Sequence, residues 1–362
     1  CCETSGRNTG MLHAGFTYPP GSLKARCAVE GNQEFDRVAE ELDVPFRRTG
    51  KLIIGFTDDH RKSLLRFKAR GEANGVKGLE IVGKDRIKEM EPGAGGNFAM
   101  YSPASGILDP FAYTIALAEN ARQNGAEFYF CTEVTSADRE DGIYTLHTNR
   151  GDYHSRWVVN AAGLCSAEVS AMLGIPGYTI RGFKGEYIVL DKRAGRHMHM
   201  PVYPAPNEKG GFDIHATPTV DGNILVGPNS EVVSDFSDYG VTPETLAKLF
   251  TDGKKMFEAM TREDFIRNFS GIRPKRVNPQ TGEVLDFVLE TRREAPHVIN
   301  LVGIESPGLT CALPLARRAV ALFGGQEDLI KKENFSPRHK GIIRFAQQSN
   351  EVKRRLIAEN PD

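Results

Sequence analysis

Three glycine-rich turns constrain this chain more than any other feature: TSGRNTGMLHAG (4–15), NAAGLCSAEV (160–169) and GIESPGLT (303–310). In the first, Gly6, Gly10 and Gly15 permit close backbone approach and positive φ. Ser5, Asn8 and Thr9 offer donors to an oxyanion, and Arg7 adds a planar cation suited to a diphosphate or a carboxylate. In the second, the apolar run Trp157-Val158-Val159 enters Ala161-Ala162-Gly163. Such small side chains let a flat or charged ligand press on the backbone at the carboxyl end of a strand, where open α/β sheets bind ligands. In the third, Gly303 and Pro307-Gly308 kink the chain just before a helix, whose N-terminus stabilises negative charge. Taken singly, each is equally a surface turn or a point of close packing. Together, each beside a strand or helix end, they favour a nucleotide-type cofactor lying across a sheet.

The segments around the turns read as mixed α/β. Ser22 caps a helix carrying Leu23, Cys27, Val38 and Leu42; Asp109-Pro110 and Thr242-Pro243 open two more; Leu309–Leu322 forms a fourth, closed by Gly324-Gly325. EFYFC (127–131), IYTLHT (143–148) and SRWVVNAAG (155–163) read as strands following the 110–124 helix. TGKLIIGF (49–56), GEYIVLD (185–191), GFDIHATPTV (211–220) and GNILVGP (222–228) predict an antiparallel sheet interleaved with that α/β unit. The polar tail from Gln326 reads as a surface wrap or a linker.

Composition removes several classes. Forty-six Lys and Arg against 47 Asp and Glu leave a net charge of −1, so no basic field argues for nucleic acid. No apolar run approaches the roughly 18 residues of a membrane span, and a cytoplasmic location is the default. The six cysteines form no C-x-x-C pair, and Cys131 and Cys165 read as buried small hydrophobes. His197 and His199 read as loop residues, and no metal site is expected.

At the three turns, and at SGILDP (105–110), VVNAAGL, RGFKGEY, HATPTVDGNILVGP and GIRP, the chain resembles the D-amino-acid-oxidase-like flavoprotein superfamily. The branch it resembles contains L-2-hydroxyglutarate dehydrogenase/oxidase and the large subunit of anaerobic glycerol-3-phosphate dehydrogenase. The resemblance implies a Rossmann-like FAD-binding domain (1–45, 106–178 and 292–328), an antiparallel-sheet substrate domain (46–105 and 179–291) and a C-terminal tail or linker (329–362). It implies that Ser5, Gly6, Arg7, Asn8, Thr9 and Gly10 line the FAD diphosphate and ribityl chain, with His13, Ala14 and Gly15 approaching the flavin ring. Val134 would touch the adenine side through its backbone, Ala161, Ala162 and Gly163 would flank the diphosphate, and Gly303, Ile304, Pro307, Gly308, Leu309 and Thr310 would lie under the pyrimidine edge. Members of the superfamily open with a strand–GxGxxG–helix element, which this sequence, beginning at Cys1, does not contain. The 335–362 stretch resembles the linker that precedes an iron–sulfur domain in some members.

The chemistry implied is oxidation of a small anionic 2-hydroxy acid or glycerol 3-phosphate, by hydride transfer to FAD. The resemblance implies that Arg273 in GIRP faces the substrate's anionic group, and a guanidinium fork suits carboxylate or phosphate. His215 is the expected general base, with His13 its rival, since imidazole titrates near neutrality. Lys184, Glu186 and Tyr187 of KGEY are expected on the cavity wall, with Lys184 as a second cation. Electrons would leave to a quinone, flavoprotein or iron–sulfur partner, through which any peripheral membrane contact would run. The alternatives are an amine or D-amino-acid oxidase of the same superfamily, and a non-catalytic subunit or fragment of a larger flavoprotein complex.

Overall fold

Helix starts follow the capping residues. Ser22 Oγ accepts the Ala25 amide at 3.1 Å ahead of helix Leu23–Leu42. Asp109 Oδ1 accepts the Phe111 and Ala112 amides at 2.9 and 3.0 Å ahead of Pro110–Gln123. Thr242 Oγ1 accepts the Thr245 amide at 3.2 Å ahead of Pro243–Met256. Each such cap contributes about 1 kcal/mol. The fourth expected helix is Gly308–Gly324. These elements belong to a computed structural model that describes residues 1–206, 212–341 and 343–360. Gly211 of the expected GFDIHATPTV strand, and Ile342, Pro361 and Asp362 of the tail, lie outside the described residues.

The strand-rich middle of the sequence forms one nine-stranded sheet, and its register positions the chemistry. Strand Ile180–Leu190 lies between Phe265–Arg276 and the strands Ile224–Gly227 and Glu231–Val233, all antiparallel to it. The sheet continues through His215–Pro218, Val202–Pro204, Leu52–Gly55, Phe98–Tyr101 and Glu80–Gly83. Within it Val202–Pro204 runs parallel to Leu52–Gly55. Because side chains alternate across a strand, register divides the sheet into two faces. One carries Leu52, Ile54, Ile188, Val202, Ala216 and Val226, which pack with Leu249 and Met256 of the 243–256 helix in an apolar core. The other carries Ile53, paired with Tyr203, and then His215, Tyr187 and Arg273, the last paired with Phe183. That second face meets Met11, Ala14 and Phe16 of the opening segment.

The remaining sheets are small. Val158–Asn160 runs parallel to Ala295–Val302, which pairs antiparallel with Val288–Arg292; that hairpin crosses the domain boundary expected at 291/292. Val134–Glu140, Ile143–Thr148 and Gly151–Ser155 form an antiparallel meander, and Met11–Leu12, Gly106–Leu108 and Phe46–Arg47 a third sheet. Helices 23–42 and 308–324 cross so closely that a Cβ on Gly31 would lie 1.8 Å from the Thr310 carbonyl oxygen. The tail lies on the surface, where the Ser336 amide donates to Asn124 Oδ1 and the His339 amide to the Glu41 carbonyl.

Two expectations fail here. EFYFC (127–131) is not a strand, and Phe128, Tyr129 and Phe130 are 43, 57 and 77% exposed. An apolar run becomes a strand only where a neighbour takes its backbone groups, and no described strand does so. Asn149 Nδ2 instead donates to the Cys131 carbonyl at 3.3 Å, and Asn149 Oδ1 accepts the Glu133 backbone amide at 2.9 Å. Cys131 and Cys165 are exposed rather than buried, while Cys27 and Cys311 are the buried thiols. Cys131 sits in a surface turn, and Cys165 ends the short 3-10 helix Gly163–Cys165.

Candidate active site

Tyr203 is the centre of the polar face of the large sheet. Its buried ring stacks on His215 with centroids 3.6 Å apart and planes at 19°, while the Lys51 ammonium lies 3.2 Å from its centroid. His215 Nδ1 lies 3.1 Å from the Asp213 carbonyl oxygen. A carbonyl only accepts, so Nδ1 carries the proton and Nε2 keeps its lone pair. That Nε2 is buried and has no hydrogen-bond partner among the described residues. Burial, together with the positive charges of Lys51 and Arg273, pushes the His215 pKa well below the usual imidazole value. Tyr187 extends the same face and stacks on Phe269 at 4.5 Å.

His13 reaches this region from the opening turn. Its amide donates to Thr310 Oγ1 at 3.1 Å, its carbonyl accepts from Asn32 Nδ2 at 3.0 Å, and its Nε2 lies 3.3 Å from Ser306 Oγ. Burial first, and the nearby Lys51 second, lower its pKa to about 3, so the imidazole is neutral at physiological pH. The loop that carries Ser306 is braced by the buried Lys24–Glu305 pair at 2.6 Å, and Glu305 also accepts the Ser306 amide at 2.8 Å. The first and third glycine turns are therefore brought together at His13 and Thr310. His13 has a side-chain partner on Nε2 and His215 has none, which separates the two expected bases.

Arg273 is half-buried, and its guanidinium donates only to carbonyls, Phe183 at 3.4 Å and Asn229 at 3.0 Å. It crosses Gly185, where a Cβ would stand 2.8 Å from Nη2. No carboxylate pairs with it among the described residues, so its charge is available to a ligand. Lys184 departs from the expectation of a second cation: its ammonium donates to Asp238 at 2.8 Å and to the Gly240 carbonyl at 3.2 Å, with Glu186 at 3.6 Å. Alternation puts Lys184 and Glu186 on the face opposite Arg273, beside a carboxylate 54 residues away in sequence. The opening turn likewise uses its polar side chains internally. Arg7 donates to the Cys2 and Ser270 carbonyls and lies 4.1 Å from the Tyr239 ring centroid. The Asn8 amide donates to the Thr4 and Ser5 carbonyls, and its Oδ1 accepts the Gly10 amide. Arg7 thus braces the turn against the 265–276 strand, where a Cβ on Gly271 would collide with the Arg7 carbonyl at 2.1 Å.

The second turn forms a separate feature. Val134, Asn160, Ala161 and Ala162 line one open apolar cleft of about 330 Å³, with Leu146, Val158, Val169 and Leu173. Asn160 holds the turn by donating to Asn300 Oδ1 and the Ser166 carbonyl at 2.8 Å, and by accepting the Ala162 amide at 3.1 Å. Gly163 has φ +58° and open space where a Cβ would stand. Helix 308–324 has Pro307 at its N-cap and no side-chain cap; the Gly308 amide donates to the Glu305 carbonyl, which leaves the Leu309 and Thr310 amides for an electron-rich ring edge. An apolar cleft for a flat base, a side-chain-free turn and an uncapped helix end match the chemistry of a flavin dinucleotide. Lys51, Tyr203 and Ser306 were not singled out from the sequence; the available signal for Lys51 was a lysine immediately preceding the apolar run LIIG.

The family model for FAD dependent oxidoreductases (DAO) matches residues 1–322. Glycerol 3-phosphate dehydrogenase of Caloramator mitchellensis is 34% identical over 360 residues, covering 99% of this chain and 74% of that protein. The mitochondrial L-2-hydroxyglutarate dehydrogenase of Nematostella vectensis is 28% identical over 364 residues, covering 86% of this chain and 80% of that one. Among solved structures, dithionite-reduced L-alpha-glycerophosphate oxidase from Mycoplasma pneumoniae with FAD bound superposes with a TM-score of 0.87 at 26% identity, covering 94% of this chain and 89% of that one. Glycine oxidase from Geobacillus kaustophilus superposes with a TM-score of 0.80 at 21% identity, covering 94% and 90%, a likeness of fold.

Proposed function

Because the chain belongs to the DAO family of FAD-dependent oxidoreductases, we propose that it oxidises the CH–OH group of a small anionic substrate, a 2-hydroxy acid or glycerol 3-phosphate. The observation that carries this reading is the bare, buried Nε2 of His215 on the same sheet face as Arg273, a cation without a carboxylate. FAD, when bound, supplies the two-electron acceptor for the substrate hydride. In this reading Val134, Ala161, Ala162 and Gly163 hold its adenine and diphosphate, and residues 5–10 lie along the diphosphate and ribityl chain through their backbone. His13, Ala14 and Gly15 approach the flavin ring, and Gly303, Ile304, Pro307, Gly308, Leu309 and Thr310 receive its pyrimidine edge.

Arg273 binds the acid group and fixes the substrate's orientation. The hydroxyl then donates to His215 Nε2, the one ring nitrogen with a free lone pair. An anion entering beside His215 opposes the Lys51 and Arg273 charges that depress its proton affinity. Substrate binding therefore strengthens the base when it is needed. His13, held through Ser306 and Thr310, forms the wall on the flavin side.

The domain division of 1–45, 106–178 and 292–328 against 46–105 and 179–291, with a 329–362 tail, belongs to the same proposal. So does onward electron transfer to a quinone, flavoprotein or iron–sulfur partner in the cytoplasm. No helix among the described residues is long and apolar enough to cross a membrane. The test is anaerobic reduction of the flavin-loaded protein by L-2-hydroxyglutarate, glycerol 3-phosphate, glycine and D-alanine. Bleaching of the flavin's visible absorbance by either hydroxy compound is expected. Bleaching by the amino acids alone would assign amine oxidation instead.

A further inference from the structure

A charge taken out of water costs several kcal/mol unless it is paired or hydrogen-bonded. Of the three buried lysines among the described residues, two obey this rule: Lys24 pairs with Glu305 at 2.6 Å and Lys184 with Asp238 at 2.8 Å. Lys51 does not. It is 2% exposed, and its ammonium faces aromatic rings, 3.2 Å from the Tyr203 centroid, 5.0 Å from Phe212 and 5.6 Å from Phe16. No carboxylate or hydrogen-bond acceptor among the described residues moderates its burial, which alone drives its pKa well below the ordinary lysine value. A cation–π contact returns at most about 2 kcal/mol, short of the burial cost.

Alternation along 51–53 gives Lys51 the face of Ile53, Tyr203 and His215, and His215 feels both Lys51 and Arg273. Arg273 is another cation of this face without a carboxylate partner among the described residues, while Lys275, two positions on, lies over the Phe183 ring at 4.6 Å. We propose that Lys51 is a substrate-binding residue, the second of two cations that together receive a dianion. The inference rests on this face being the substrate site. Two such cations call for a ligand carrying two negative charges, as a dicarboxylate or a phosphate monoester does. Lys51 in this way takes the role expected of Lys184. The other titratable groups facing it are His13, His215 and Tyr203; both imidazoles are neutral, and burial raises the Tyr203 phenol pKa, so none supplies a counter-charge.

The test is calorimetric binding of three non-oxidisable anions to the flavin-loaded protein: glutarate, inorganic phosphate and butyrate. It compares the wild type with Lys51→Met, whose side chain is apolar and of similar length. Lys51→Met is expected to weaken glutarate, phosphate or both by about tenfold or more, and to change butyrate by less than about twofold. Loss of glutarate alone would identify the dicarboxylate, and loss of phosphate alone the phosphate ester. Thermal unfolding of ligand-free Lys51→Met is expected at the wild-type temperature or above, because an uncompensated buried amine is removed. Unchanged Kd for both dianions overturns the proposal. So does equal weakening of butyrate, or a lowered Tm with no selectivity, which marks a structural lysine. Binding needs no turnover, so Lys51-dependent dianion binding without flavin reduction would reject the oxidation reading and leave this one standing.

Discussion

Replacing Arg273 with Met tests the electrostatic logic of the site most directly. The substitution keeps the side-chain length over Gly185 and removes the charge. The native guanidinium makes only two hydrogen bonds of its own, to carbonyls at 3.4 and 3.0 Å, so little of the folded state depends on it. Removing one partner of a buried charge pair costs about 2–5 kcal/mol. Arg273 is half-buried, so the lower part of that range applies, about 2–3 kcal/mol. That is roughly a 30- to 150-fold rise in Kd for the anionic substrate. Anaerobic stopped-flow reduction over a substrate series gives Kd from saturation and the limiting rate from the plateau. The limiting rate should hardly change, because the acid group is bound alike in ground and transition states. Arg273→Lys should recover part of the loss, having the charge without the fork. A rise in Kd below about threefold would refute the assignment. A collapse of the limiting rate at constant Kd would move Arg273 from binding to chemistry.

Two further outcomes follow from the same structure. The His13 pKa falls from 6.5 unfolded to about 3 folded, so between those values the unfolded chain binds the extra proton and stability falls as pH falls. His13 alone should cost about 2 kcal/mol at pH 5 relative to pH 8; His215 acts in the same direction, and His13→Gln should flatten the Tm–pH curve, whereas an unaltered slope contradicts the burial argument. Gly31→Ala drives a Cβ to 1.8 Å from the Thr310 carbonyl and should lose more than about 3 kcal/mol in urea unfolding, whereas Gly163→Ala meets open space and should lose about 1–2 kcal/mol for its left-handed φ; equal losses would contradict the helix crossing.

Much of the fold was legible because its signals are local. Ser22, Asp109 and Thr242 cap their helices through contacts two or three residues away, so a sequence window contains both partners. The short apolar runs in GEYIVLD and GNILVGP, each bounded by turn residues, likewise carry their own evidence, and both become buried strands. EFYFC shows the limit of such reasoning: its apolar composition suits a strand, but a strand exists only when a second segment takes its backbone groups.

The chemistry divides along the same line. Sequence by itself identified three glycine turns and two candidate imidazoles, and the family resemblance singled out Arg273, since residue type bounds what each can do. Tertiary structure alone decided which of these groups are free. Lys184 is paired with Asp238, Arg7 is held by the Cys2 and Ser270 carbonyls, and His13 finds Ser306. Among the described residues His215 Nε2 and Lys51 are left without a hydrogen-bond or ion-pair partner, where the large sheet meets Met11, Ala14 and Phe16 of the opening segment. The reason is physical: a polar group's proton affinity and availability are set by its counter-ions and its burial, and those partners lie up to 293 residues away along the chain.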